Sequence, residues 1–73
     1  MKKKLTPSTT FGVRLRQARL ASGMSQAAVA EIITVDRTTY NKYETGRVEP
    51  SLVVAYRLAQ LFHVTLDELL RPE

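Results

Sequence analysis

Residues 25–47 read Ser25-Gln-Ala-Ala-Val-Ala-Glu-Ile-Ile-Thr-Val-Asp-Arg-Thr-Thr-Tyr-Asn-Lys-Tyr-Glu-Thr-Gly-Arg47. Ser25 suits a helix N-cap, where its hydroxyl can accept a bond from an otherwise orphaned backbone N–H. Val29, Ala30 and Ile33 follow at helical spacing on one face. The pattern breaks near Thr34 and restarts at Asp36, a second N-cap. A further helix is expected from about Arg37 to Glu44, with Gly46 as its stop. Only Thr34, Val35 and Asp36 separate the two helices, so they must cross sharply rather than run as a parallel hairpin. A small side chain, Ala30, falls where that crossing is tightest, and Val35 plugs the gap between the helices.

Burying Val29, Ile33, Tyr40 and Tyr43 leaves Arg37, Thr38, Asn41 and Lys42 pointing outward as a single stripe at the start of the third helix. A helix of this kind fits the major groove of DNA, and its first residues reach base edges. Arginine and lysine suit guanine acceptors, asparagine suits adenine, and threonine offers a hydroxyl or a methyl. Tyr40 and Tyr43 could stack on bases, but their inward phase assigns them to the core, with a hydroxyl free to reach a phosphate.

Upstream, Phe11, Leu15, Ala18 and Ala21 recur at three- and four-residue steps and predict a first helix closed by Gly23. Residues 1–10 are polar and basic, without periodicity, and are expected to form a flexible arm, either frayed or touching DNA. The folded domain is then 11–73. Downstream, Pro50 makes 47–51 a loop, and Ser51 caps a fourth helix running to about Phe62. Thr65 caps a short fifth helix, with Glu68 completing a capping box and Pro72 ending it. No strand pattern, repeat or low-complexity segment is present. The expected architecture is all-α, a compact bundle of five short helices.

A chain of 73 residues holds one domain with one core. It has no cysteine, which excludes disulfides, thiolate metal sites and thiol chemistry. No apolar run approaches a membrane span, and the basic start lacks the apolar stretch of a signal peptide; a cytoplasmic location is expected. Eleven Lys and Arg against seven Asp and Glu give a net charge of +4, a balance that favours polyanions. His63, without cysteine or a carboxylate cluster, makes a poor metal site and reads as a helix C-cap residue. Asp67 and Glu68 sit in a first helical turn, where carboxylates favour the positive end of the dipole, so they are not read as a catalytic pair. No nucleophile–base pair, metal cluster or phosphate loop is visible. No enzyme activity, cofactor, metal or small-molecule ligand is expected.

From about Phe11 to Leu70 the chain resembles the Cro and phage-repressor type helix-turn-helix family, also called the xenobiotic response element family. The residues that carry the resemblance are Arg16 and Arg19; Gly23; Ser25-Gln26; Val29-Ala30-Glu31; Val35; Arg37-Thr38-Thr39; Lys42-Tyr43-Glu44; Gly46; Pro50-Ser51-Leu52; Ala59; and Val64 to Leu70. The resemblance implies a lambda-repressor-like fold with the helix-turn-helix at about 25–45. It also implies base-facing roles for Arg37, Thr38, Asn41 and Lys42, and phosphate-facing roles for Gln26, Thr39 and Arg47. Gln26 would in addition steady the next helix. Arg19 and Glu44 match a family ion pair tying the first helix to the end of the recognition helix.

Two departures stand out. The family usually places glycine where this chain has Thr34 and His63, and a β-branched residue at positive φ is an outlier. The turn at Thr34 is therefore expected to take another shape, which would alter the angle of the recognition helix. Val53 and Val54 stand where the resemblance suggests polar residues. With Leu61 and Leu70 they mark either extra core packing or a two-fold interface through the fourth and fifth helices. Leu20 lies off the inner stripe of its helix. The resulting expectation is a transcription regulator, a repressor binding double-stranded DNA as a homodimer on a pseudo-palindrome. The competing one is a protein-interaction adaptor or antitoxin using the same fold.

Overall fold

The structure is a computed structural model that describes residues 7–71. Its five helices are α1 (Pro7–Ser22), α2 (Gln26–Ile33), α3 (Arg37–Thr45), α4 (Leu52–Leu61) and α5 (Leu66–Leu70), and among the described residues there is no strand. One core gathers Phe11 and Leu15 from α1, Val29, Ala30 and Ile33 from α2, and Tyr40 and Tyr43 from α3. Ala55, Leu58 and Ala59 of α4, Phe62 just beyond it, and Leu69 of α5 complete that core. Val35 packs against it from the α2–α3 turn. Tyr40 and Tyr43 meet edge to face, with ring centroids 6.2 Å apart, an arrangement that aromatic quadrupoles favour.

The first helix starts earlier than its apolar stripe suggests. Pro7 is its first residue and Thr10 is buried; proline suits a first helical position, because its missing N–H would be unsatisfied there anyway. The segment 1–10 expected as an arm therefore contributes its last four residues to α1, and residues 1–6 lie outside the described residues. The inner face also differs. Ala21 is exposed, and Arg19 takes a buried place instead. Gly12, buried as well, touches α3 so closely that a Cβ on it would collide with the Glu44 carbonyl oxygen and sit 2.7 Å from that of Tyr43. This close approach fixes α1 against the C-terminal half of α3.

The ends of α1 to α4 share one design. A left-handed residue follows each, directly after α1, α2 and α3 and one residue later, at His63, after α4, and two N–H groups return to the last turn as in a Schellman motif. Gly23 and Met24 donate to Leu20 and Arg19; Thr34 and Val35 to Glu31 and Ala30; Gly46 and Arg47 to Tyr43 and Lys42; His63 and Val64 to Gln60 and Ala59. Gly23 and Gly46 adopt this conformation without steric cost. Thr34 (φ 60°) and His63 (φ 58°) adopt it too. The expectation of a differently shaped turn at Thr34 is thus corrected: the left-handed geometry is kept and the side chain tolerates it. Val35 and Val64, next in the chain, anchor each turn on the core, which over-determines the strained residue.

Helix starts follow the sequence. Ser25 accepts from Ala28 N and Ser51 from Val54 N, while Thr65 and Glu68 form a reciprocal capping box. Asp36 has the N-cap backbone shape but makes no side-chain cap bond; the Thr39 hydroxyl holds its carboxyl below the usual value. Arg71 is extended at the end of α5, the conformation a following proline imposes.

Candidate nucleic-acid interface

The helix α3 is held from beneath by a buried carboxylate. Glu44 faces α1 near the end of α3, and its side chain is only 2% exposed. Arg19 grips it with two bonds, Nε to Oε2 at 2.6 Å and Nη2 to Oε1 at 3.2 Å, and spends Nη1 on the Met24 carbonyl at 3.0 Å. Tyr40 donates its hydroxyl to Oε2 at 2.6 Å, and Gln26 donates Nε2 to Oε1 at 3.0 Å. Burial works against the Glu44 charge, but the donors from Arg19, Tyr40 and Gln26 outweigh it and hold the carboxyl below its ordinary value. Burial first, and then the Glu44 carboxylate, push the Tyr40 hydroxyl up, so it remains a donor. No buried side-chain nitrogen or oxygen among the described residues lacks a partner.

This network corrects one assignment. The Tyr40 hydroxyl is committed to Glu44 and does not reach out for a phosphate.

Above this base, Arg37, Thr38, Asn41 and Lys42 are all exposed, and Arg47 is exposed in the loop that follows. Arg37 is the first residue of α3. Thr39 is half-buried beside Asp36. Gln26, at the first position of α2, is half-buried and bonds Asn41 Oδ1 at 3.0 Å, so the two helices of the motif are joined through side chains as well as packing. Asn41 and Lys42 stand one helical turn beyond Arg37 and Thr38. The helix N-terminus adds its own positive end to Arg37 and Lys42.

One positioning residue carries no signal in the apolar pattern. Arg57 of α4 donates Nη2 to the Ile32 carbonyl at 3.0 Å and Nη1 to that of Ile33 at 3.4 Å. It satisfies carbonyls at the end of α2 and places a cation at the negative end of that helix. Nothing in the local sequence marks it, because its partners lie 24 and 25 residues away.

The remaining candidates resolve simply. Glu68 is spent on its capping box, and Asp67 pairs with Arg71 at 2.6 Å on the surface. His63 is exposed just past α4, and among the described residues no group of side chains could hold a metal ion.

A family model described as Helix-turn-helix matches residues 15–69. The chain belongs to the Cro and phage-repressor type helix-turn-helix family of DNA-binding transcription regulators. It is 38% identical over 61 residues to the SPbeta prophage-derived uncharacterized HTH-type transcriptional regulator YonR of Bacillus subtilis, covering 84% of this chain and 56% of YonR. It is 36% identical over 56 residues to an uncharacterized HTH-type transcriptional regulator of Archaeoglobus fulgidus, covering 77% of this chain and 80% of that protein. Among solved structures, the restriction-modification controller protein C.AhdI from Aeromonas hydrophila superposes with a TM-score of 0.75 at 36% identity, covering 84% of this chain and 92% of C.AhdI. The chain thus spans little more than half the length of YonR, and nearly all of C.AhdI. These three relatives are named as regulators, not enzymes.

Proposed function

We propose that this domain binds double-stranded DNA sequence-specifically by laying α3 in the major groove. The observation that carries the reading is the exposed stripe Arg37, Thr38, Asn41 and Lys42, held in a fixed orientation by the buried Glu44 cluster beneath it. These four side chains read base edges. Gln26, Thr39 and Arg47, which flank them, hold the phosphate backbone. Repression by occupying a promoter is the simplest mechanism, in a cytoplasmic setting. No helix among the described residues is long and apolar enough to cross a membrane.

The domain acts as a homodimer through α4 and α5. Leu52 is 76% exposed and Val53 68%, and Tyr56 and Leu70 are exposed beside them. Val54 and Leu61 turn partly inward against the core, which favours packing over the interface for them. An apolar groove of about 290 Å³, lined by Phe11, Val48, Leu52, Leu66 and Leu70 among others, continues this face. An apolar patch on a small protein marks an interaction surface, and two-fold pairing would set half-sites roughly 34 Å apart.

Selection of bound duplexes from a random pool tests both parts. The expected result is one enriched motif with two inverted half-sites about one helical turn apart. Enrichment of a single half-site would remove the dimer, and no enrichment at all would remove base reading.

A further inference from the structure

The Gln26 amide has two N–H donors, and both are spoken for: one goes to Glu44 Oε1 and one to Asn41 Oδ1, each at 3.0 Å. An ionised carboxylate only accepts, so the group that Gln26 turns toward Glu44 must be its nitrogen. Arg19 and Tyr40 hold Glu44 in place and in its charged form. The same nitrogen then meets Asn41, which must answer with its oxygen. The buried charge therefore fixes the orientation of two successive side-chain amides, and the outer one lies in the base-facing stripe.

An asparagine free to turn matches adenine by accepting from N6 and donating to N7. Asn41 turns its oxygen toward Gln26, which leaves the Nδ2 edge of the planar amide on the other side, toward the groove, and only the second lone pair of the oxygen for an incoming donor. Guanine answers donors twice, at N7 and O6, and thymine once, at O4; adenine answers at N7 but sets its own N6 donor beside it, and cytosine offers only a donor. We propose that the Glu44–Gln26–Asn41 relay makes Asn41 present its donors to the groove and so select a keto base, guanine first, over adenine. Gln26 is then a positioning residue for specificity, in addition to any phosphate it touches. The inference rests on α3 lying in the major groove.

The test is random-pool selection with the wild-type chain, Asn41→Ala and Gln26→Met. Asn41→Ala is expected to erase the preference at one base position, which the wild type fills with guanine or thymine by roughly 5- to 150-fold over adenine. Gln26→Met keeps the length of the side chain but has no donor, and is expected to move that one position toward adenine while the others stay unchanged. A merely structural role for Gln26 would lower the melting temperature without reassigning one base. Adenine or cytosine at the Asn41-dependent position in the wild type, or an unchanged preference in Gln26→Met, overturns the relay and leaves the reading of α3 intact. If Asn41→Ala changes no position, the relay falls along with the base contact of Asn41. Absence of any enriched sequence removes base reading altogether. Side-chain amide exchange in the free wild-type protein supplies a check without a variant: the Gln26 protons are expected to exchange more slowly than those of Asn41, and the reverse order contradicts the relay.

Discussion

Glu44 accepts hydrogen bonds from three side chains on three helices. It sits on α3 but faces inward, away from the exposed stripe, and it joins α1, α2 and α3 through Arg19, Gln26 and Tyr40. Removing one partner of such a buried pair leaves the other charge uncompensated, so Arg19→Ala is expected to destabilise by about 3–5 kcal/mol, read as a lower melting temperature with base preference unchanged. The pH dependence has a definite sign. Glu44 has a lower pKa folded than unfolded, so its contribution is complete above its ordinary value of 4.5 and is lost as pH falls below that through the folded value. Denaturant titrations at falling pH are expected to show stability declining below about 4.5, with a shallower decline in an Arg19→Met, Glu44→Leu double variant. Gly12 belongs to the same scale. Gly12→Ala places a methyl group on the α3 backbone, which cannot give way as a flexible side chain can, and a loss of about 1–3 kcal/mol or more is expected by thermal denaturation. The ion pair was legible in the sequence only through family resemblance. The place of Tyr40 and Gln26 in the same cluster was not legible, because it depends on three helices meeting.

At the scale of helices, starts and stops were the most readable features. Ser25, Ser51 and the Thr65–Glu68 capping box are local chemistry, and the structure forms each of them. The start of α1 was misjudged because Pro7 to Thr10 carry no apolar periodicity; proline at a first helical position was the available signal. The turn at Thr34 was misjudged for a different reason. Backbone preference alone disfavours a left-handed threonine, but the hydrogen bonds from Thr34 and Val35 and the seating of Val35 on the core prevail over it. The strain is still present, and left-handed residues with a Cβ cost roughly 1–2 kcal/mol. Thr34→Gly and His63→Gly are each expected to stabilise by about 0.5–1 kcal/mol after the flexibility of glycine in the unfolded chain is counted. The melting temperature would rise accordingly, by roughly 4–8 °C per kcal/mol for a chain of this size, and the selected DNA motif would stay the same. Arg57, invisible to any local pattern, fastens α4 to the end of α2. Arg57→Met is expected to lose about 1–2 kcal/mol, since two carbonyls lose a charged donor.

On the scale of the molecule, the helix-turn-helix was legible from residues 25–47, because a sharp crossing of two short helices leaves one face to bury and one to expose. The inward set Val29, Ala30, Ile33, Tyr40 and Tyr43 is buried in the structure, and the outward set Arg37, Thr38, Asn41 and Lys42 is exposed. Less legible was the division of the apolar residues of α4 between core and surface: Val53 and Val54 are neighbours in the chain but part company in space, a difference of phase too small for pattern alone to decide. The proposed homodimer rests on the exposed face of Leu52, Val53 and Leu70. Val53→Glu is expected to shift sedimentation from dimer to monomer and to weaken operator binding, while the fold, to which this side chain contributes little burial, persists. Lys42→Ala puts base reading by the α3 stripe to the test. Its affinity is measured at matched salt on the selected duplex and on an unrelated one. A loss of about 1–3 kcal/mol on the selected duplex, with relaxed preference at one position, is expected if Lys42 reads a base. An equal loss on both duplexes would show that Lys42 meets only phosphate and would contradict that reading.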